Sequence, residues 1–485
     1  MSNPHESPDL KPLPPDSPNR WLWWLHPKVA LPLLLFGLLL LSPFLYRGYR
    51  ISRVPEIGDP FDVDAFGTVD LEPADNAMTH YVVADRLRVS SSAPDDELET
   101  ALELGWSHTS TAVKKWLDDN QPALKEWRKG TELAQVVAEQ PKVLRIDSTL
   151  DVLNYARDFT RLSRLQAEHS LHDGDIAEAW NWLHASHRAS RHVQMNGCLI
   201  QRLVGISMFK TTAQGIQRWA ADPRVTANQL REALDDYADA DRLTPPLSVA
   251  MKAEYCMLKN TLADADGLLV LSDDQLGRPY DSMRRSVLYL NGEPELSRRL
   301  FQHVFANLLT DIDKPLREQL PVVPGANSLY DLPSGVTGSL PARELERLLA
   351  STNLAQMALP AYSQVGIAAQ NEAAQRAAVS LMLACQLYHR LHGDWPVVLV
   401  DLVPDILPQL PADPFGLTGE TLRIKRTRRH GEQLMIYSIG QNRLDDGGKL
   451  PQDPSNGPYD EGIQFRSPTK IENTTTDEPA PQEKK

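Results

Sequence analysis

Residues 29–46 read VALPLLLFGLLLLSPFLY, eighteen positions without a charge. At a rise of ~1.5 Å per residue such a helix is about 27 Å long, close to the hydrocarbon thickness of a bilayer. Trp21, Trp23 and Trp24 stand before it and Tyr46 and Tyr49 after it, where amphipathic rings favour the two interfaces. The following SPFLYRGY offers no small-x-small cleavage site, so the segment reads as an anchor rather than a removable signal. Lys11, Arg20 and Lys28 precede it and Arg47, Arg50 and Arg53 follow it, which leaves the positive-inside count tied.

Beyond the anchor the apolar positions take up helical spacing. Leu153, Ala156, Phe159, Leu162 and Leu165 recur at intervals of three, and Ile176, Ala179, Trp180, Leu183 and His187 at three and four. Gly174 suits a left-handed stop between the two runs, and Asp175 with Glu178 has the form of a capping box. So short a turn predicts an antiparallel pair. Further helical runs are expected over 197–221, 226–240, 247–265 and 295–318, and a Gly/Pro/Ser-rich connection over 321–341.

Residues 373–392 give a strong helix with Val379, Met382, Leu383, Gln386 and Leu387 on one stripe. Gly393 caps it, and Trp395-Pro396 forbids continuation because the residue before proline is pushed out of the helical region. A turn at Asp413-Pro414 then leads to strands expected over 422–426 and 433–439.

The expected fold is therefore mainly α. A disordered tail (1–20) precedes a single transmembrane anchor (21–49) and a linker (50–80). An irregular helical array (81–320) and a second linker (321–342) lead to a small α+β carboxyl-terminal module with a short antiparallel sheet (343–466) and a disordered tail (467–485).

A length of 485 residues and 42% hydrophobic content allow more than one sizeable core. The net charge of −14 argues against a nucleic-acid partner, which demands a concentrated positive field. Cys198, Cys256 and Cys385 are too scattered for a metal knuckle or a dense disulfide framework and read as buried thiols, with a Cys198–Cys256 bridge in an oxidising compartment as the alternative.

Candidate chemistry is sparse. His184 and His187 share a helix face, among neighbours His169, His172 and His192, but no HExxH motif accompanies them; they read as satisfied or solvent-facing histidines rather than ligands. Asp235, Asp236 and Asp239 share a helical stretch and read as a solvated face. The basic run Arg423, Lys425, Arg426, Arg428 and Arg429 is interleaved with apolar residues as an outer strand face would be; lipid headgroups are its one expected anionic partner. No phosphate-binding glycine loop or nucleophile elbow is present, and Ser438 in YSIG lacks the preceding glycine.

The hairpin around Gly174 resembles one tetratricopeptide-type unit, although no 34-residue repeat recurs. The carboxyl-terminal residues resemble the globular end of the type II secretion major pseudopilins: Tyr388, Gly393 and Pro396; then Leu410-Pro411, Asp413-Pro414-Phe415-Gly416; then Tyr437, Ser438 and Gly440 before Asp445, Asp446, Gly447 and Gly448. The chain also looks like a set of bacterial membrane-anchored helical proteins that end in the same module and carry a comparable LIQRLVGI run, here residues 199–206. The apolar segment lies far upstream of the module and lacks the pseudopilin processing site and its following glutamate, so assembly as a pilus subunit is not expected.

The pseudopilin resemblance implies an exported body and a calcium site in the last loop, with Asp445, Asp446 and Asp460 as ligands beside Asp453 and Glu461, and with Asn442 where that family carries an aspartate. The expected function is a membrane-anchored, extracytoplasmic, non-catalytic binding or scaffold protein with a protein partner. The alternatives are a hydrolase-type enzyme with a site between helices and an accessory component of a secretion apparatus.

Overall fold

The computed structural model describes residues 27–146, 150–263, 286–315, 318–319, 340, 342–352, 362–417, 419–427, 433–450 and 460–466. The chain is mainly helical, with one apolar helix near its amino end and a three-stranded antiparallel sheet near its carboxyl end, as the patterning predicts. The connection expected over 321–341 lies, but for residue 340, outside the described residues.

Among the described residues these helices follow in order: α1 (Pro27–Ser52), α2 (Val63–Gly67), α3 (Met78–Leu87), α4 (Asp95–Leu104), α5 (Thr111–Asp119), α6 (Gln121–Glu132), α7 (Leu150–Asp173), α8 (Ile176–His192), α9 (Leu199–Ala221), α10 (Ala227–Asp241), α11 (Leu247–Ala263), α12 (Glu295–Leu308), α13 (Ala342–Ala350) and α14 (Tyr362–His392). The strands are β1 (Arg423–Thr427), β2 (Gln433–Ser438) and β3 (Glu461–Arg466). The run expected over 295–318 stops as a helix at Leu308, and its polar continuation towards Pro315 forms turns instead.

The described residues among 1–55 and 276–296 form one compact unit. Its α1 is long and apolar enough to cross a membrane, and none of its residues is buried. Near the end of α1 the Arg47 guanidinium lies 4.0 Å over the Tyr289 ring and donates to the carbonyls of Tyr289 and Glu293.

The remaining described residues form the second unit, in which helical array and carboxyl-terminal module share one core. That core runs from Tyr81 and Trp127 through Trp180 and Trp219 to Leu383, Ile436 and Phe465. Segment 56–80, read as a linker, is tied to this body: Val69 exchanges hydrogen bonds of 2.7 and 2.9 Å with the Gln140 side chain, and Asn76 bridges to Gln135.

The predicted α7–α8 hairpin is present. Gly174 sits at φ +87°, a left-handed value that costs glycine nothing. Asp175 caps α8 by accepting from the Glu178 amide at 3.1 Å, but the reciprocal half of the expected box is missing because the Glu178 carboxylate pairs with Arg128. α9 then crosses α8 closely. A Cβ at Gly205 would lie only 2.6 Å from the Ser190 carbonyl, so the LIQRLVGI run owes its glycine to helix–helix approach.

α14 is longer than its sequence stripe suggested. It buries Val379, Met382, Leu383 and Leu387 while packing on α9, α10, β2 and β3. β2 is the central strand, pairing Ile436 with Ile424 of β1 and with Ile463 of β3. Trp395, just beyond the α14 cap, stacks on His389 at 4.4 Å and meets Phe465 edge-on at 5.7 Å.

Candidate functional site

Where α8, α9, α10 and α14 converge, charged side chains occupy positions that the apolar pattern would give to the core. Arg191 comes from the last turn of α8, Arg202 from the first turn of α9, Asp241 from the end of α10, and Glu372 and Arg376 from successive turns of α14. The Arg191 and Glu372 side chains are wholly buried and paired at 2.7 Å; Arg202, 4% exposed, reaches the second Glu372 oxygen at 3.2 Å. Arg376 Nη1 donates to both Asp241 oxygens at 2.8 and 2.7 Å. Arg202 Nη1 also donates to the Pro245 carbonyl at 3.0 Å, and Arg191 Nη1 to Thr244 Oγ1 at 3.2 Å.

Three guanidiniums, Arg191, Arg202 and Arg376, thus stand against two carboxylates, Glu372 and Asp241. Burial alone would raise the Glu372 carboxyl, but Arg191, Arg202 and Arg376 around it hold it below its usual range. Burial pushes Arg202 down to about 10; Glu372 opposes that shift while Arg191 and Arg376 reinforce it. The Nε–H groups of Arg202 and Arg376 are buried and have no hydrogen-bond partner.

A cleft of about 620 Å³ opens beside this network. Arg202, Arg376 and Asp241 line it together with Pro245, Pro246 and Pro315 and the α14 residues Ala369 and Ala373. Exposed Arg242 and Asp313 add one charge of each sign to its lining. Asp413 also borders it, fully buried, but is already engaged: it accepts from Ser438 Oγ at 2.5 Å and from the Phe415 amide at 3.0 Å, with Arg423 at 3.5 Å.

A second cleft, of about 550 Å³, is lined by Arg164, Arg218 and Phe465. Its arginines are satisfied. Arg164 donates to Glu168 and to the carbonyls of Thr211 and Leu102, and Arg218 to Glu168 and the Glu103 carbonyl.

No family model, curated protein or solved structure matches the chain.

The carboxylates expected to hold calcium lie close together but are used within the loop. Asp445 accepts from Tyr437 Oη at 3.2 Å and the Gly447 amide at 2.9 Å and faces Arg423 Nε at 3.1 Å; Asp446 accepts from Asn442 at 2.8 Å. Buried Asp460 accepts from the Asp446 and Gly448 amides at 3.3 and 2.7 Å. Burial raises the Asp460 carboxyl, those two amides oppose it, and nearby Asp445 and Asp446 add to the rise. Glu461 opens β3, and Asp453 lies outside the described residues. Among the described residues no group of three or more His, Cys, Asp or Glu is placed to hold a metal ion.

The histidine pair does not converge on an ion either. His187 is buried between Tyr237 and Phe209, with centroids at 4.6 and 5.3 Å, and both its ring nitrogens lack partners. Burial drives its pKa well down, reinforced by Arg191. His184 instead lies parallel to Trp180, 6.3 Å away. Asp236 accepts from Trp180 Nε1 at 2.8 Å and Asp239 pairs with Arg242, so Asp235, Asp236 and Asp239 do not act together. All three cysteines are free and buried.

Sequence reading passed over the Arg191–Arg202–Glu372–Arg376 network. A signal was present: Glu372 and Arg376 are charged residues spaced i, i+4 within the Ala-rich NEAAQRAA of α14, and Arg202 interrupts LIQRLVGI.

Proposed function

We propose that this chain is a membrane-anchored binding protein whose folded body lies outside the cytoplasm and takes its ligand in the arginine-lined cleft. The observation that carries the anchor is α1: it is apolar around its whole circumference, yet none of its residues is buried against protein. A helix of that kind finds its apolar surroundings in lipid. The pseudopilin-like residues from Tyr388 to Gly448 support an exported body. Binding rather than catalysis is supported by the paired side chains of the cleft, since the Arg202 and Arg376 guanidiniums stay charged and move no proton, and Asp241 and Asp413 are held against Arg376 and Arg423.

Membrane fractionation tests the reading. The full chain should remain with membranes through an alkaline carbonate wash and dissolve only in detergent. Protease added outside sealed, right-side-out membranes should digest the body. Release by carbonate, or a body protected until the membrane is lysed, would contradict it.

A further inference from the structure

The two clefts differ in what their arginines still lack. Arg164 and Arg218 have spent their N–H groups on Glu168 and on carbonyls, whereas Arg202 and Arg376 each keep a buried Nε–H without an acceptor. Arg202 and Arg376 also belong to a network with three cations and two carboxylates. A buried charge without a counter-charge is costly, and an anion entering the cleft would relieve that cost.

The rest of the lining limits what the anion is. Pro245, Pro246, Pro315 and Ala373 form apolar walls, and about 620 Å³ is the space a small organic molecule fills. Within the buried network, Arg191, Arg202 and Arg376 against Glu372 and Asp241, the excess is a single positive charge, whereas a phosphate monoester brings about −1.5 to −2 at neutral pH. A carboxylate brings one charge, and its two oxygens match a guanidinium edge.

We propose that the cleft binds a small organic monoanion, a carboxylate on an apolar body, held by Arg202 and Arg376. The proposal rests on the reading of the chain as a binding protein.

Isothermal titration of the detergent-solubilised full chain tests it, with benzoate, phenyl phosphate and benzamide as probes. Benzoate should bind, phenyl phosphate more weakly, and the uncharged isostere benzamide not at all. Arg202→Lys keeps the charge opposite Glu372 but loses the fork, so benzoate affinity should fall about tenfold or more, the worth of a charge-assisted hydrogen bond. Ala373→Trp should fill the cleft and abolish benzoate binding at an unchanged melting temperature; if that variant melts early, Arg202→Lys decides. Equal binding of benzoate and benzamide, no binding of benzoate, or parental benzoate affinity in Arg202→Lys would each overturn the proposal. Solubilised protein reports nothing on topology, so failure here is separable from failure of the anchored, exported reading.

Discussion

Glu372 of α14 and Arg191 of α8 meet at 2.7 Å with neither side chain exposed to solvent. This pair and its neighbour Arg202 join the carboxyl-terminal helix to the helical array, within one shared core. Removing one partner of a buried pair leaves an uncompensated charge and costs about 3–5 kcal/mol. Glu372→Leu should therefore lower the melting temperature markedly, while the double variant Glu372→Leu/Arg191→Met should recover much of the loss. A double variant melting as low as the single one would mean that the glutamate acts through packing, not charge.

Glu254 on α11 is buried and accepts one hydrogen bond, from the Leu199 amide at 3.1 Å. Burial raises its pKa to about 7, against that one amide. The unfolded chain ionises near 4.5 and the folded chain only near 7, so this group's contribution to stability is full below pH 4.5 and is lost as pH rises to 7. The loss is on the order of 3 kcal/mol. Glu254→Gln should melt higher than the parent at pH 8 and show no such advantage at pH 4, as thermal melts at the two pH values would reveal.

In the last loop Asp445, Asp446 and Asp460 all accept from side-chain or amide donors, so a calcium ion would have to displace those bonds. Millimolar CaCl₂ should leave the melting temperature of the EDTA-treated full chain unchanged. A rise reversed by EDTA would restore the ligand set expected from the pseudopilin resemblance.

Much of the fold was legible because apolar spacing reports which face of an element is buried. Trp180 and Leu183 of α8, and Val379, Met382 and Leu383 of α14, lie in the core where the helical period put them. Strand β3 was not read. Ile463 and Phe465 do alternate, but a six-residue strand after an acidic, glycine-rich loop shows its period too briefly. The arginine network was invisible for another reason: Arg191 and Glu372 are neighbours only in space, and a local pattern treats each as a surface residue. His187 was misjudged similarly. The sequence reads it as a satisfied or solvent-facing side chain, while its surroundings, set by α9 and α10, form an aromatic box without a hydrogen-bond partner.

The side of the membrane on which the body lies tests the central claim most directly, because the charges flanking α1 are balanced and leave it open. The measurement is a pair of reporter fusions after Lys485 in a bacterial host, one to alkaline phosphatase and one to green fluorescent protein. The account predicts an active phosphatase and a dark fluorescent fusion; an inactive phosphatase beside a bright fluorescent fusion would contradict it.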